Sequence, residues 1–228
     1  ETVTNVPPAA LDGYEVRRLP VQLCPDVSHL GFDMWKLVEF PHNHADPVVF
    51  VAGDTIYAVG YCKKEVDAGE WVRCYSLTAY DLMSGTKRRE WRTPYYDDAA
   101  PLRSAVILGN EVYAGTWEGG VVGFNLTDGS GWRIGEKEGL PDSCVSLLVA
   151  LDGKLYGTCR SVVFEYDPRT KEFRNLISSK ATVKRNRMDG TQFWITTFAG
   201  DVTNHSLHMV GDRWEHWNYD LRSGDITK

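Results

Sequence analysis

The chain has 228 residues, 43% of them apolar and 12% aromatic, with 8 Trp and 11 Tyr, so it can bury a sizeable core and is not a disordered polymer. Its formal net charge of −6 argues against nucleic acid or an acidic membrane surface as a partner, since both want a basic face. No apolar run approaches the ~20 residues of a membrane-spanning helix, so membrane insertion is not expected.

Residues 1–46 are read as an N-terminal segment that supplies a degenerate repeat or a closing strand. The segment opens on ETVTNVPP, without Met or a signal-peptide pattern, which fits a processed chain or a cut piece. Together with the cysteine placements described below, this makes a secreted or periplasmic location the expectation. PHNHADP places His42, His44 and Asp46 close together. Zinc wants three or four ligands and a fixed second shell, so this is read as a polar loop and no metal is expected.

From residue 47 onward three phrases recur. Apolar runs come first: PVVFVA (47–52), SAVILG (104–109) and SCVSLLVAL (143–151). A turn dipeptide and an alternating strand centred on an aromatic follow, in GDTIYAVGY (53–61), GNEVYAGTW (109–117), DGKLYGTCR (152–160) and DGTQFWITTF (189–198). Their centres are Tyr57, Tyr113, Tyr156 and Phe193. The third phrase is a hairpin: LTAYDLMSGTKRREW (77–91), VVGFNLTDGSGW (121–132), VVFEYDPRTKEF (162–173) and, more loosely, SLHMVGDRWEHW (206–217). The unit is a four-stranded antiparallel meander of ~45 residues, the length of a propeller blade.

The expected fold is therefore all-β: a β-propeller of four-stranded antiparallel blades, with four or five blades or as part of a larger ring. The propeller region is 47–228, with blades at approximately 47–95, 100–135, 140–177 and 180–217. NYDLRSGDITK at the far end reads as a unit begun and not finished.

GLPDSCVSLLVALDGKLYGTC and VVFEYDPRTKEFRNL, within 139–176, resemble the repeat of two-component-regulator-type propellers. There a Gly-Leu-Pro turn leads into the first strand and a YDP-type turn closes the blade. LTAYDLMSGTKRREW resembles the quinoprotein-type propeller repeat, with its Asp, Ser-Gly and terminal Trp. The resemblance implies the fold. It does not imply the quinone cofactor, because the chain is short and has no acid-rich calcium loop or adjacent cysteine pair; no cofactor is expected.

Connections after the second strand of each blade share one face, and on this reading they begin at Tyr61, Trp117, Arg160 and Phe198. Lys63, Trp71, Glu118 and Asp201 lie near them. The candidate binding residues are Tyr61, Trp117, Glu118, Arg160 and Phe198, because aromatic faces and an Arg fork suit a ligand or partner. Trp117 and Phe198 read equally as packing between blades. The expected function is a non-enzymatic scaffold that binds a protein partner or a glycan. Two alternatives stand beside it: a carbohydrate-active lyase or hydrolase working in the central channel, and a structural subunit of a larger complex. Channel chemistry needs paired carboxylates, whereas the innermost runs are apolar, and no catalytic residue is singled out.

Cys62 with Cys74, and Cys144 with Cys159, are spaced so that either pair is a bridge or buried thiols. Asn125-Leu-Thr127 and Asn204-His-Ser206 are glycosylation sequons. Lys180, Lys184, Arg185 and Arg187 read as a solvated strand edge.

Overall fold

A computed structural model describes residues 48–67, 70–96, 99–159, 162–178, 195–211 and 215–227. They form sixteen strands in four antiparallel meanders, and the only helical segment among them is a 3-10 turn at Glu136–Glu138. Blade 1 holds β1 (Val48–Ala52), β2 (Thr55–Asp67), β3 (Glu70–Asp81) and β4 (Lys87–Arg92). Blade 2 holds β5 (Leu102–Leu108), β6 (Glu111–Thr116), β7 (Val121–Asn125) and β8 (Gly131–Ile134). Blade 3 holds β9 (Val145–Leu151), β10 (Lys154–Cys159), β11 (Val162–Asp167) and β12 (Glu172–Ser178). Blade 4 holds β13 (Ile195–Asp201), β14 (Ser206–Gly211), β15 (His216–Asp220) and β16 (Ile226–Thr227).

The repeats are equivalent at the level of the ladder. Tyr57 stands between Phe50 and Ala79, Tyr113 between Val106 and Gly123, and Tyr156 between Val149 and Glu165. Each of these tyrosines packs into the apolar layer shared with the next blade. The innermost strands follow one another, β5 against β1, β9 against β5 and β13 against β9. Among the described residues, β13 makes no comparable approach to β1. This stacking buries Phe124 and Val122 against Leu77 and Trp91, and Phe164 and Leu155 against Val121 and Ile134. A lone four-stranded sheet has nothing to cover its second apolar face, and radial stacking supplies the cover.

The hairpin turns show why the sequence repeats Asp or Asn ahead of Gly. Asp81 Oδ1 accepts from the N–H of Met83 and Ser84, Asn125 Oδ1 from Thr127 and Asp128, and Asp220 Oδ1 from Arg222 and Ser223. The side chain thus satisfies donors that the tight turn leaves unpaired. A backbone bond then returns from the fifth residue to the first, and that fifth residue, Gly85, Gly129 or Gly224, has positive φ. In blade 3 the fifth residue is Lys171, at φ 61, where the others have glycine. Pro168 stands in blade 3 where Leu82, Leu126 and Leu221 donate their N–H to the neighbouring turn. Blade 3 therefore lacks that tie.

The fourth blade corrects the sequence reading. SLHMVGDRWEHW does not form the outer hairpin; it contributes β14 and the start of β15, one strand earlier. The outer hairpin is made by the end of the chain, NYDLRSGDIT, which completes a blade and does not begin another. The shift was hidden because β13, ITTFAGD, is rich in Thr and Gly and lacks the aliphatic run that marks the other inner strands. Phe193 lies outside the described residues, and its expected ladder position belongs to His208, between Ala199 and Asn218.

Candidate functional site

The candidate site is the face where second and third strands connect. Trp117 and Glu118 are on the β6–β7 connection, and both are exposed, Trp117 at 37%. Tyr61 lies within β2, opposite Tyr75, on the long β2–β3 hairpin. Arg160 lies outside the described residues. Phe198 does not join this group. It sits in β13, paired with Met209 and half-buried against the layer between blades 3 and 4, because the fourth blade is shifted by one strand. Its role is packing.

The Trp117 connection is tightly built. Thr116 Oγ1 donates to the carbonyl of Gly120 at 2.9 Å and accepts from the N–H of Gly119 at 2.8 Å. The N–H of Gly120 donates to Ser143, at the entry to blade 3. Gly120 has φ +77, and a Cβ there would stand 2.2 Å from the carbonyl oxygen of Ile134, so no other residue fits. From blade 1, the buried Tyr75 hydroxyl bridges the N–H and carbonyl of Ala100 at 2.8 and 3.1 Å. It also lies close beneath Gly119. The N–H of Trp117 donates to Pro101. Two connections, β4–β5 and β6–β7, are thereby fixed to one another.

Two arginines on this face lie over aromatic rings. The Arg103 guanidinium is 4.2 Å from the centre of the Trp117 ring, and that of Arg133 is 5.2 Å from Tyr96. The Arg103–Trp117 pair is exposed and the Arg133–Tyr96 pair half-buried; an exposed pair of this kind contributes about 0.5–1 kcal/mol. They hold a large aromatic in place before a partner arrives, which lowers the ordering cost of binding. Tyr95, 51% exposed, extends the patch. Arg73 Nη1 anchors it from below by donating to the carbonyl of Ala99 at 3.1 Å. Sequence reasoning missed Arg103, Tyr95, Tyr96 and Arg133. Arg103 left one signal, as the single charged residue in the inner strand LRSAVIL.

Cys144 and Cys159 hold buried free thiols and do not form the bridge their spacing allowed. The Cys159 Sγ donates to the carbonyl of Asp142 at 3.3 Å, and burial pushes its thiol well above the usual range. Cys62 and Cys74 stand opposite each other in the β2–β3 ladder. His205 Nδ1 lies 2.6 Å from Asp152 Oδ2, joining turns of blades 3 and 4. His208 and His216 stack at 5.3 Å with their rings 9° apart. The Asn204 side-chain nitrogen donates to Asp201. His42, His44, Asp46, Asp97, Asp98 and the basic stretch at 180–187 lie outside the described residues. Among the described residues no group of three or more His, Cys, Asp or Glu is arranged to hold a metal, and no helix is long and apolar enough to cross a membrane.

No protein-family model and no curated protein matches the chain. Solved structures do. The chain aligns with U3-55K at TM-score 0.55 and 11% identity, over 82% of this chain and 53% of that one. It aligns with the extracellular domain of a hybrid two-component system from B. thetaiotaomicron at TM-score 0.52 and 13% identity, over 69% of this chain and 20% of that one. A computationally designed protein, Ika4, aligns at TM-score 0.51 and 10% identity, over 81% of this chain and 97% of that one. These likenesses concern the fold, and the fold is a β-propeller. The chain spans about a fifth of the bacterial extracellular domain and about half of U3-55K.

Proposed function

We propose that this propeller is a non-enzymatic binding platform that recognises a protein partner through the face carrying Trp117. The observation that carries the reading is Trp117 itself: a large aromatic, exposed, held by Arg103 and set on a connection whose backbone is pinned from two blades. Aromatic and arginine side chains on a rigid support are what tight protein interfaces use as anchors. The innermost strands VVFVA, LRSAVIL and VSLLVAL carry no carboxylate, and ITTFAGD carries only Asp201 at its turn end, so no carboxylate pair lies on the described inner strands, which favours a binding platform over channel chemistry. A location outside the cytoplasm goes with this reading, supported by the extracellular-domain neighbour.

The test is capture of partners from the native source on the immobilised chain, followed by titration of the protein recovered. Trp117→Ala is expected to weaken that binding roughly tenfold or more while leaving the thermal transition in place. Full binding by the variant, or loss of its thermal transition, contradicts the assignment.

A further inference from the structure

We propose that His208, His216 and Asn218 form a binding site for a divalent transition-metal ion on blade 4, on the face turned away from blade 3. Leu207, Met209, Trp217 and Tyr219 pack toward blade 3. Strand alternation therefore puts Ser206, His208, His216 and Asn218 on the other side of the sheet. His208 holds the ladder position at which blades 1, 2 and 3 carry Tyr57, Tyr113 and Tyr156. An imidazole thus replaces a packing aromatic. His208 Nδ1 lies 3.1 Å from His216 Nε2. Two nitrogens on one zinc ion at tetrahedral angles stand about 3.3 Å apart, given zinc–nitrogen bonds of about 2.0–2.1 Å. The separation already matches, and rotation of the rings turns both lone pairs onto one ion. The His208 side chain is 36% exposed and His216 is exposed, so an ion reaches them from solvent.

Two further observations point to a ligand. Asn218 stands directly across the β14–β15 ladder from His208, two residues from His216 on the same strand. Its Oδ1 is buried, and among the described residues no donor reaches it. A buried acceptor left without a donor costs about 1–3 kcal/mol, and a cation satisfies it. The third donor is thus an amide oxygen, which is why no trio of His, Cys, Asp or Glu marks the place. The second observation lies behind His208. Its Nε2 faces Ser206 Oγ at 3.4 Å and Asp201 Oδ2 at 3.8 Å. Asp201 is itself fixed by the N–H groups of Thr203 and Asn204. Oxygens on this side keep the ring proton on Nε2 and leave the Nδ1 lone pair toward His216. Metal-binding histidines are oriented in this way, by an acceptor at the ring nitrogen that does not bind the metal. A bound ion takes the place of the proton between the two rings, and His216 then carries its proton on Nδ1. Two imidazoles and one amide oxygen suit zinc, copper or nickel.

The test is calorimetric titration of the full chain with zinc at neutral pH. It is run on a background of His42→Ala and His44→Ala, which removes the other closely spaced histidine pair. Saturable binding of one zinc ion per chain is expected. His216→Ala and His208→Ala are each expected to weaken it about tenfold or more, and Asn218→Ala to a lesser degree. His205→Ala, which removes a neighbouring imidazole held by Asp152, is expected to leave it unchanged. His216 is exposed, so its replacement keeps the fold, and the thermal transition of each variant is recorded to show this. No binding up to about 1 mM zinc overturns the proposal. So does zinc binding that survives His216→Ala or Asn218→Ala unchanged, or that is lost in His205→Ala. These outcomes do not depend on whether Trp117 binds a partner.

Discussion

Phe164→Ala is expected to destabilise the protein by about 3–5 kcal/mol, read as a lower midpoint of chemical unfolding. Phe164 is fully buried, in the layer between blades 2 and 3. Its ring lies 5.7 Å from that of Phe173, edge to face, and over Gly157, where an added Cβ would come within 2.3 Å of Phe164 Cζ. The chain has thus removed a side chain at 157 to seat the ring, and truncating the ring leaves a void that a β-ladder on each side holds open. Leu148 also lines the spot, and its reach limits how far the site closes. A cost below about 1 kcal/mol would mean that the layer between blades does not hold the fold together.

The second large effect is at Glu165, expected to cost about 2–3 kcal/mol at neutral pH when replaced by Gln. Glu165 is 7% exposed. Its oxygens accept from Lys154 Nζ at 2.8 Å, the Tyr156 hydroxyl at 3.1 Å and Arg174 Nη2 at 3.1 Å. Burial alone raises its pKa. The Lys154 hydrogen bond and the charges of Arg174 and Lys154 outweigh burial and hold the carboxyl below its ordinary value of 4.5. Because the folded pKa is depressed, the stabilisation is fully present above the unfolded value and is lost as pH falls through the folded one. The gap in stability between the natural protein and Glu165→Gln should therefore shrink from about pH 5 downward. A gap that stays constant to pH 3 contradicts this account.

The fold was legible in the sequence wherever chemistry repeats at fixed offsets. Tyr57, Tyr113 and Tyr156 follow turn dipeptides at the same distance, and they occupy the same ladder position. The Asp and Asn residues that begin the hairpin turns were visible for the same reason, since only a short acceptor side chain serves those turn donors. Legibility failed where a strand is short of aliphatic residues. β13 carries two Thr and a Gly, so its place as an inner strand comes from pairing with β14 and packing on β9, neither of which is local in sequence. That shift moved Phe198 from a rim into a core.

The candidate site was half legible. Trp117 was found because it ends a recurrent phrase. Its partner Arg103 was not, because the two meet only when the entry to β5 is brought beside the β6–β7 connection by Tyr75 and Pro101. The cysteines make the converse point. Cys144 and Cys159 flank a turn symmetrically in sequence, but the Cys159 sulfur is drawn to the Asp142 carbonyl instead of to its counterpart.

The stacking of one blade on the next is tested most directly by a double-mutant cycle on Tyr113 and Tyr166. They belong to different blades, and their rings meet edge to face at 6.3 Å. Single and double replacements by Leu, followed by chemical unfolding, are expected to give a coupling of about 0.5–1.5 kcal/mol. Strict additivity of the two replacements would contradict the packing of blade 2 on blade 3.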